Sequence, residues 1–588
     1  MKKTKIVSTL GPASNSVDTI VKLIESGANV FRFNFSHGTH EEHLDRMEMV
    51  HQAVETTGKD VAILLDTKGA EIRTTVQATA NGKINFTSGD TLRIAMDPEL
   101  EGTQEKIAVT YEGLFDDVHE GGHILFDDGL IDMLILEKDH QNRELIVEVQ
   151  NTGVLGSRKG VNAPGVAINL PGITEKDEED IRFGLQHEIN FIAASFVRKA
   201  QDVLDIREIL EDTNMTHVQI YPKIESQEGI DNIDSILKVS DGVMVARGDM
   251  GVEIPAEMVP MVQKDIIKKC NAVGKAVITA TQMLESMQEN PRPTRAEASD
   301  VANAVFDGTD ATMLSGESAN GNYPVEAVAT MARIDEEAEK AMLRRGSYQI
   351  NQFDKTNVTE TIGLSVARAA KNLGVKCIVA ATESGHTAKM ISKYRPDANI
   401  LAVTFDERTK RGLMMNWGVY PTVTAKPATT DEMFELATKK SVELGFAQEG
   451  DLILITAGVP VGERGTTNVM KIQLIGSKLL DAQGVGGHSV VANTVVAMNA
   501  QEAIAKAREG MVLVVPSTDK EYMPAIEKAS ALVVEEGGLT SHAAVVGVAT
   551  DLPVIVGAKD ATEIIKDGEL ITVDPRRGIV YRGETTAI

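Results

Sequence analysis

The stretch VQIYPKIESQEG (218–229), followed by GVMVARGDMGVE (242–253), decides the fold class. In both, a short apolar run ends in charged residues, and a segment that can form a helix comes next. Eight strand–helix units are the number that closes a (β/α)8 (TIM) barrel, and we predict this fold. The pattern alone is equally compatible with an open, doubly wound sheet. The eight apolar runs are KIVSTL (5–10), VFRFNF (30–35), VAILLDT (61–67), FIAASF (191–196), VQIYPKI (218–224), GVMVARG (242–248), AVITAT (276–281) and DATMLSG (310–316).

The third run is not followed by a helix but by a segment of different character. Short strands and turns, such as GKINF (82–86) and TLRIAM (91–96), fill this segment. The helical pattern resumes at LPGITEKDEEDIRFGL (170–185), where Thr174 and Asp177 have the spacing of a capping box. The sequence therefore predicts a small β-barrel domain, inserted above the C-terminal face of the main barrel, where it could act as a lid.

Two further units follow the barrel. Strands such as VKCIVAATES (375–384) and GDLILITAG (450–458) alternate with helical segments, and the last part of the chain holds apolar runs such as GMVLVVPST (510–518). The predicted domains are the barrel over 1–69 and 168–345, the inserted β domain over 70–167, an α/β domain over 346–475 and a C-terminal domain over 476–588.

Composition and charge exclude several classes of protein. The 588 residues carry 59 basic and 86 acidic side chains, a net charge of −27, whereas a general nucleic-acid binder shows a basic stripe. Cys270 and Cys377 form neither a disulfide framework nor a zinc site, and two isolated thiols suit a reducing cytoplasm. The first residues lack the apolar stretch of a signal peptide, and no run of about 18 apolar residues could span a membrane. We expect a cytoplasmic protein that contacts neither nucleic acid nor membrane.

One group of charged residues lies at the ends of the fifth and sixth runs. Lys223 precedes Glu225 by two residues, so on a strand both side chains point to the same face, and Asp249 ends the neighbouring run. Two carboxylates with substrate oxygens suit Mg²⁺, and a cation beside the metal is what phosphoryl transfer requires. The alternative is a buried Lys–Glu ion pair without a metal.

A second group of polar residues follows the second and third runs. This group offers one carboxylate and several neutral oxygens, which suit a monovalent cation better than Mg²⁺ because the total charge of the ligands is low. Arg32 and Arg73 can each clamp phosphate oxygens with two hydrogen bonds. Thr281 and Ser315 end the seventh and eighth runs. The candidate ligands of the monovalent cation are Asn34, Ser36, Asp66 and Thr67.

Several motifs occur in a fixed order along residues 1–475. They are FNFSHG (33–38), LLDTKGAEIR (64–73), KGVNAPG (159–165), IYPKIESQEGI (220–230), MVARGDMGVE (244–253), TATQML (279–284), PTRAEASDVANAVFDGTDA (293–311) and MLSGE (313–317). Together they closely resemble the pyruvate kinase family. The resemblance implies a barrel with a lid, and the transfer of a phosphoryl group from phosphoenolpyruvate to ADP, giving pyruvate and ATP in the last step of glycolysis. It also implies Mg²⁺ (or Mn²⁺) and K⁺ as cofactors, and a homotetramer.

The same resemblance assigns roles to individual residues. Lys223 is expected to stabilise the transition state, Glu225 and Asp249 to bind Mg²⁺, and Thr281 and Ser315 to relay the proton that the enolate takes up. The expected catalytic residues are Lys223, Thr281, Arg73 and Ser315. Phosphoenolpyruvate is expected to contact Arg32, Gly248, Asp249 and Thr281, the nucleotide to contact Asn34, Phe35, Ser36, His37, Arg73 and Lys159, and K⁺ to be held by Asn34, Ser36, Asp66 and Thr67.

Two positions near the start of the insert bear on these assignments. Glu71 is the residue type that K⁺-dependent members of the family show there. Ala70 departs from the family pattern, which usually has Pro between Gly69 and this glutamate. The change could loosen the connection into the lid, but it removes no chemical group.

Two loops of the α/β domain can hold an anion. TESGHTAKMISKYRP (382–396) offers hydroxyl and backbone N–H groups beside a helix start, and ITAGVPVGERGTTN (455–468) offers an arginine among glycines. They resemble the effector pocket of pyruvate kinases, which binds a phosphorylated sugar or nucleotide; the alternative is that both are only turns. The expected effector contacts are Thr382, Ser384, Gly385, Thr387 and Arg464.

The last domain resembles the phosphohistidine domain of phosphoenolpyruvate-utilising enzymes. The likeness lies in GGLTSHAAVVG (537–547) and LPVIVG (552–557), with His542 at the phosphorylated position. Those enzymes commonly carry Ala-Arg shortly after the motif, where Gly547 and Val548 stand here, and they need a further module for which this chain has no room. We therefore favour a domain kept for structure or regulation. The alternative functions are a phosphotransfer relay through His542 and a catalytically dead metabolite sensor; the presence of Lys223, Glu225 and Asp249 argues against the sensor.

Overall fold

A computed structural model of the chain describes residues 1–345, 357–458, 467–476 and 478–585. These residues divide into two compact units. The first holds residues 1–345, 383–395 and 404–423, and the second holds residues 357–382, 396–403 and the described residues from 424 onward. No helix within the described ranges is both long and apolar enough to cross a membrane.

Eight parallel strands close a barrel in the first unit. Numbered along the chain, they are β1 (Lys5–Thr9), β2 (Val30–Asn34), β3 (Ala62–Asp66), β13 (Phe191–Ala194), β14 (Gln219–Ile224), β15 (Gly242–Ala246), β16 (Ala276–Ala280) and β17 (Ala311–Leu314). Around the barrel they follow the order β1-β17-β16-β15-β14-β13-β3-β2. Each predicted run contains one of these strands, which confirms the barrel and rules out the open sheet.

The barrel strands are buried on both faces because their side chains alternate between two cores. Val7 and Leu64 point into the barrel and pack on residues of the other strands, such as Met244. Ile6 and Leu65 point outward and pack under the surrounding helices. These helices are α1 (Val17–Ser26), α2 (His40–Thr57), α4 (Glu175–Gln186), α5 (Ala200–Asp212), α6 (Gln227–Asp231), α7 (Ile233–Val239), α8 (Arg247–Glu253), α9 (Val259–Val273), α10 (Arg295–Asp307), α11 (Gly316–Ala319) and α12 (Pro324–Arg345).

An inserted β domain follows β3, as predicted. Its elements are β4 (Ile72–Arg73), β5 (Lys83–Phe86), β6 (Thr91–Ala95), β7 (Lys106–Ala108), α3 (Leu114–Asp117), β8 (His123–Phe126), β9 (Ile131–Asp139), β10 (Glu144–Val149), β11 (Gly153–Gly156) and β12 (Gly160–Asn162). Seven of the strands form one sheet in the order β4-β12-β8-β9-β10-β6-β7, and β5 pairs with β11. The alternating burial of β10 fits one face on a separate core that contains Ile94, Phe126 and Leu145.

The first unit also includes the segments 383–395 and 404–423, which hold α14 (His386–Ser392), α15 (Glu407–Gly412) and β20 (Val419–Val423). These segments are bonded to the end of the barrel where the strands begin. The guanidinium of Arg395 lies 3.0 Å from a carboxylate oxygen of Asp310, just before β17, and the ammonium of Lys5 donates to the carbonyl of Val419 at 2.6 Å. They therefore contact the end of the barrel opposite the candidate site.

The second unit begins with an α/β part. It contains α13 (Val358–Asn372), β18 (Cys377–Ala381), β19 (Asn399–Thr404), α16 (Thr430–Glu443), β21 (Leu452–Ala457) and β22 (Val469–Leu474). The strands are hydrogen bonded in the order β19-β18-β21-β22. The first three are parallel and β22 is antiparallel to β21.

The C-terminal part of the second unit is a second α/β layer structure. Its elements are β23 (Lys478–Asp481), β24 (Gln483–Val485), β25 (Val490–Val496), α17 (Ala500–Lys506), β26 (Met511–Val515), α18 (Met523–Ile526), β27 (Ala529–Val534), α19 (His542–Thr550), β28 (Val554–Val556), α20 (Ala561–Ile564), β29 (Leu570–Asp574) and β30 (Ile579–Arg582). The sheet has the order β23-β30-β29-β25-β26-β27-β28-β24. Its central strands, β25 to β28, are parallel.

Candidate functional site

Lys223 lies at the centre of a charged cluster at the carboxyl ends of the barrel strands. Its ammonium is 3.1 Å from Oε1 of Glu225 and 3.3 Å from Oδ1 of Asp66, and it donates to Oγ of Ser195 at 2.9 Å. Burial acts to lower the pKa of Lys223, but the two carboxylates outweigh it and raise the pKa above its ordinary value. The lysine is therefore held charged in a nearly dry environment.

Glu225 has the chemistry of a metal ligand that lacks a full set of partners. Its Oε2 accepts a hydrogen bond from the backbone N–H of Phe196 at 2.6 Å, whereas its buried Oε1 accepts none and has only the ionic contact with Lys223. Burial raises the pKa of Glu225 to about 7, against the effect of Lys223, and the charge of Asp249 adds to the rise. A buried carboxylate oxygen without a hydrogen bond fits a divalent cation. The Lys–Glu ion pair that sequence reasoning gave as the alternative is present as well.

No group of three or more His, Cys, Asp or Glu residues with metal-binding geometry occurs within the described ranges. The two predicted Mg²⁺ ligands, Glu225 and Asp249, would therefore need oxygens from elsewhere. Mg²⁺ commonly takes one or two protein carboxylates and completes its shell with water and substrate oxygens. The residues present thus fit Mg²⁺ in a substrate complex.

Asp66 connects the lysine cluster with the second barrel strand. Its Oδ2 is 2.6 Å from Nε of Arg32, whose Nη1 donates to Oγ1 of Thr9 at 3.0 Å. Burial alone would raise the pKa of Asp66, but Arg32 and Lys223 lower it below its ordinary value. Asp66 is therefore ionised, and it fixes two cations at the mouth of the barrel.

The end of β2 and the loop after it contain two of the four predicted K⁺ ligands and four of the six predicted nucleotide contacts. Asn34 pairs in register with Asp66 of β3, and its Oδ1 accepts the backbone N–H of Ser36 at 3.1 Å. Thr67 follows Asp66 directly, and its Oγ1 accepts the backbone N–H of Ser195 at 3.1 Å. The structure thus brings all four predicted K⁺ ligands to two neighbouring strand ends.

Two side chains hold the carbonyl groups of this loop. Nε2 of His43 lies 2.9 Å from the carbonyl oxygen of His37, and the ammonium of Lys176 donates to the carbonyl of Phe35 at 3.3 Å. The ring of Phe35 is buried and stacks on His43 with centroids 4.1 Å apart, so only its backbone can face a nucleotide. Ser36 and His37 are exposed.

Thr281 has an unusual backbone. Its φ is 67°, a left-handed conformation that costs a β-branched residue free energy. Its Oγ1 accepts the backbone N–H of Gly248 at 2.8 Å, and Nη2 of Arg247 donates to its carbonyl at 2.6 Å. These contacts hold the hydroxyl of Thr281 beside the first turn of α8, where Asp249 also lies.

Ser315 lies just beyond β17 and is half-buried. Its backbone N–H donates to Oε2 of Glu317 at 2.7 Å, and Oε1 of the same carboxylate accepts the N–H of Leu284 at 3.0 Å. Glu317 thus connects the loops after β16 and β17, which carry the two predicted proton-relay residues.

The inserted domain faces the barrel across a cavity of about 450 Å³. Arg73 binds both carboxylate oxygens of Glu71, at 2.6 and 3.0 Å, and Lys159 lies 2.9 Å from Asp127. The pKa of Asp128 is raised by burial and by the nearby charges of Asp249 and Asp127. The charged residues that line the cavity are Glu71, Arg73, Asp127, Asp128, Lys159, Arg198, Glu228, Asp231, Asp249 and Glu253.

Sequence reasoning missed several residues of the site. Ser195 bonds Lys223 and Asp66, although it is an ordinary serine at the end of an apolar run. Asp127 and Asp128 both have positive φ values, 53° and 55°. The Asp-Asp-Gly sequence in FDDG (126–129) was a signal for such a turn, and the missed acids face the predicted nucleotide contacts.

The predicted effector residues are divided between the two units. Thr382 belongs to the second unit, and Ser384, Gly385 and Thr387 to the first. Gly385 has φ 81° and precedes α14, and a Cβ there would lie 2.9 Å from a side-chain carbon of Leu413. Arg464 lies outside the described residues.

His542 is the first residue of α19, in the C-terminal part of the second unit. Ser541 caps this helix, and Nδ1 of His542 is 3.2 Å from Oγ1 of Thr518 in the loop after β26. The ring is half-buried. Val545 and Val548 on the same helix are 58% and 75% exposed.

A closed barrel with a central lysine, two adjacent carboxylates, an ion-paired arginine and an inserted domain over the strand ends indicates an enzyme of phosphoryl transfer. Comparison with known proteins defines the family. Residues 1–328 match the family model for the pyruvate kinase barrel domain and residues 360–473 that for the pyruvate kinase alpha/beta domain. Residues 507–578 match the mobile domain of PEP-utilising enzymes. The chain belongs to the pyruvate kinase family.

Relatives of known function agree with this assignment. The chain is 63% identical to a pyruvate kinase of Lactobacillus delbrueckii subsp. bulgaricus and 56% identical to one of Bacillus licheniformis, and each alignment covers 100% of both chains. A crystal structure of a pyruvate kinase from Cryptosporidium parvum superposes with a TM-score of 0.76 at 39% identity, covering 80% of this chain and 96% of that one.

Proposed function

We propose that this chain transfers the phosphoryl group of phosphoenolpyruvate to ADP, giving pyruvate and ATP, as a cytoplasmic homotetramer that requires Mg²⁺ or Mn²⁺ and K⁺. The full-length similarity to pyruvate kinases supports the reaction. The contact of the Lys223 ammonium with both Asp66 and Glu225 is the single observation that carries the site. The domain division given by the sequence (1–69 with 168–345, 70–167, 346–475 and 476–588) is part of the proposal.

In this proposal the barrel binds phosphoenolpyruvate. Arg32 and the backbone at Gly248 face its anionic groups, and Lys223 stabilises the negative charge that spreads over the phosphoryl oxygens in transit. Glu225 and Asp249 hold the divalent cation, which when bound would neutralise phosphoryl charge. Because Lys223 is buried and charged before substrate arrives, it needs little reorganisation during the reaction.

Proton delivery to the enolate is assigned to the residues after β16 and β17. The hydroxyl of Thr281 donates to the carbonyl of Ala280 and accepts from Gly248, so its position is fixed beside the proposed substrate. Ser315 belongs to the same relay, which Glu317 holds together.

K⁺ is assigned to Asn34, Ser36, Asp66 and Thr67. Asn34 and Asp66 are register partners at the ends of β2 and β3, which supports a site to which both strands contribute. The nucleotide is assigned to the loop 34–37 and to the inserted domain. The nucleotide contacts are Asn34, the backbone of Phe35, Ser36, His37, Arg73 and Lys159.

A phosphorylated sugar or nucleotide is the proposed effector. The hydroxyl groups of Thr382, Ser384 and Thr387, the backbone of Gly385 and the guanidinium of Arg464 are its proposed contacts. Their chemistry suits a phosphate, because hydroxyl and backbone N–H donors near a helix start favour an anion.

Pyruvate formation from phosphoenolpyruvate and ADP, in K⁺ against Na⁺ at constant Mg²⁺, tests the proposal. Fast turnover that collapses in Na⁺ is the expected result. Equal rates in both salts would keep the reaction and reject the K⁺ site. No turnover in either salt, with and without phosphorylated sugars, would reject the proposed activity.

A phosphotransfer relay is the second candidate function. The match of residues 507–578 to the mobile domain of PEP-utilising enzymes and the half-buried imidazole of His542 favour it. Incubation with phosphoenolpyruvate labelled in the phosphoryl group, followed by acid and alkali treatment, would detect phosphohistidine. Absence of acid-labile label at His542 during full kinase turnover would reject the relay.

A further inference from the structure

The start of α4 lies between the two segments that connect the inserted domain with the barrel. The outgoing segment passes through Gly69, and the returning segment ends at Thr174, the N-cap of α4. One carboxylate binds both. Oδ1 of Asp177 accepts the N–H of Gly69 at 3.0 Å, and its Oδ2 accepts the N–H and the hydroxyl of Thr174 at 2.9 and 2.7 Å.

This arrangement exceeds what a helix cap requires. A capping box needs one acceptor oxygen of the N3 residue, and Oδ2 of Asp177 makes both bonds to Thr174 by itself. Oδ1 is thereby left for Gly69, which is 108 positions away in the sequence. The side chain of Asp177 is fully buried, so a carboxylate without these donors would be costly there.

The outgoing segment has little freedom at the point where Asp177 binds it. Gly69 has φ +77°, and a Cβ at this position would lie 2.7 Å from Cβ of Ser195 and 2.9 Å from the ring of Phe196. The chain therefore passes through a gap that only glycine fits, with its N–H directed at the carboxylate.

The returning segment is held a second time. The guanidinium of Arg198 donates to the carbonyls of Ile168, Leu170 and Pro171, at 2.9, 2.8 and 3.1 Å. The direction of that segment is thus fixed over several residues, whereas Gly69 depends on Asp177 for its N–H. The carboxylate is the point where the two connections meet.

We propose that Asp177 is a positioning residue that fixes both connections of the inserted domain to one point of the barrel, and so sets the placement of Arg73 and Lys159 for the nucleotide. The inference rests on the proposed nucleotide role of the inserted domain. Loss of either bond would let the domain populate other orientations, and the apparent KM for ADP would rise by the inverse of the competent fraction. The KM for phosphoenolpyruvate would stay unchanged, because the barrel binds that substrate.

Asp177→Asn tests the proposal with little change of shape. An amide has one acceptor oxygen, so its nitrogen must face one of the N–H donors and that bond is lost. We expect the KM for ADP to rise about tenfold, the cost of one buried bond to a charged group, and the KM for phosphoenolpyruvate to stay within about twofold. Hydrogen exchange at the Gly69 amide should accelerate.

Thr174→Val and Thr174→Ser keep the test independent of whether Asp177→Asn folds. Valine removes the hydroxyl and should raise the KM for ADP, and serine should restore it. Thr294→Val is the matched control, because Thr294 and Glu297 form the same capping box on α10, away from the insert. Both valine variants lose a helix cap worth about 1 kcal/mol. A higher KM for ADP in Thr174→Val than in Thr294→Val would therefore report a change in the placement of the inserted domain and not the loss of a cap.

A wild-type KM for ADP in folded Asp177→Asn, or equal KM values in Thr174→Val and Thr294→Val, would overturn the proposal. A fall in specific activity that follows only the melting temperature would overturn it too, since Asp177 would then serve stability alone. If Lys159→Met left the KM for ADP unchanged, the nucleotide role of the insert would fail instead. In that case, an unchanged rate of hydrogen exchange at the Gly69 amide in Asp177→Asn would still refute the positioning role of Asp177.

Discussion

Replacing Lys223 with methionine removes the central cation of the site and keeps most of its volume. A unit charge about 4 Å from the transferring group, at an effective dielectric constant of about 20, is worth about 4 kcal/mol. This corresponds to about a thousandfold in kcat, because each 1.36 kcal/mol is about tenfold. The KM for phosphoenolpyruvate should stay within about threefold, since the lysine acts mainly on charge that develops in the transition state.

The structure predicts a second effect of the same substitution. Burial and the charge of Asp249 raise the pKa of Glu225 to about 7 even though Lys223 acts to lower it. Without the lysine, Glu225 should bind a proton at neutral pH, and half-activation should require more Mg²⁺. Steady-state rates at several Mg²⁺ concentrations and pH values separate the two effects.

The matched control is Lys22→Met, which changes an exposed lysine of α1 and should leave the rate unchanged. A fall in kcat of less than about tenfold at saturating Mg²⁺ would refute the reasoning. The lysine would then be an ion-pair partner only, as the alternative from the sequence had it.

Three further predictions concern single lysine side chains. Lys159→Met should raise the KM for ADP about tenfold with the KM for phosphoenolpyruvate unchanged, and Lys83→Met, an exposed lysine of the same domain, should change neither; equal effects would contradict the lid assignment. Lys176→Met removes the donor to the carbonyl of Phe35, so the K⁺ concentration for half-activation should rise severalfold while kcat at saturating K⁺ persists; an unchanged K⁺ titration would contradict this. Burial lowers the pKa of Lys5 to about 7 in the folded chain. Between this pH and the ordinary pKa of a lysine, the unfolded chain binds one proton more than the folded chain, so the free energy of unfolding should rise with pH in that window. Urea unfolding at several pH values should show this slope in the wild type and a smaller one in Lys5→Met; identical slopes would contradict it.

The barrel could be predicted from the sequence because its signal is local. Each of the eight strands is a short apolar run with a helical segment or the insert after it, and functional side chains follow at the strand ends. Lys223, Glu225 and Asp249 could be predicted as one group for the same reason. Lys223 lies in β14 and Glu225 directly follows that strand, while Asp249 lies in the first turn of α8, just after β15.

Contacts between distant segments could not be predicted in this way. Ser195 reaches Lys223 only because β13 and β14 are neighbours in the closed barrel. The capping box of Thr174 and Asp177 was visible in the sequence, but the bond from Asp177 to Gly69 was not, since nothing local marks it. Phe35 was predicted to contact the nucleotide, yet its ring belongs to the core: it comes directly after the last residue of β2 and stacks on the His43 ring of α2, a contact that nothing local in the sequence marks.

Five of the non-glycine residues with positive φ lie around the mouth of the barrel. Phe196, Thr281 and Gln282 follow barrel strands with positive φ, and Asp127 and Asp128 do so on the facing loop of the insert. Each such residue costs about 1–3 kcal/mol, which the rest of the barrel must offset. Selection for heat resistance alone would therefore favour glycine at these positions and would discard the hydroxyl and carboxylate groups they carry. Thermostable variants of this enzyme are better sought in its surface helices than at the mouth of its barrel.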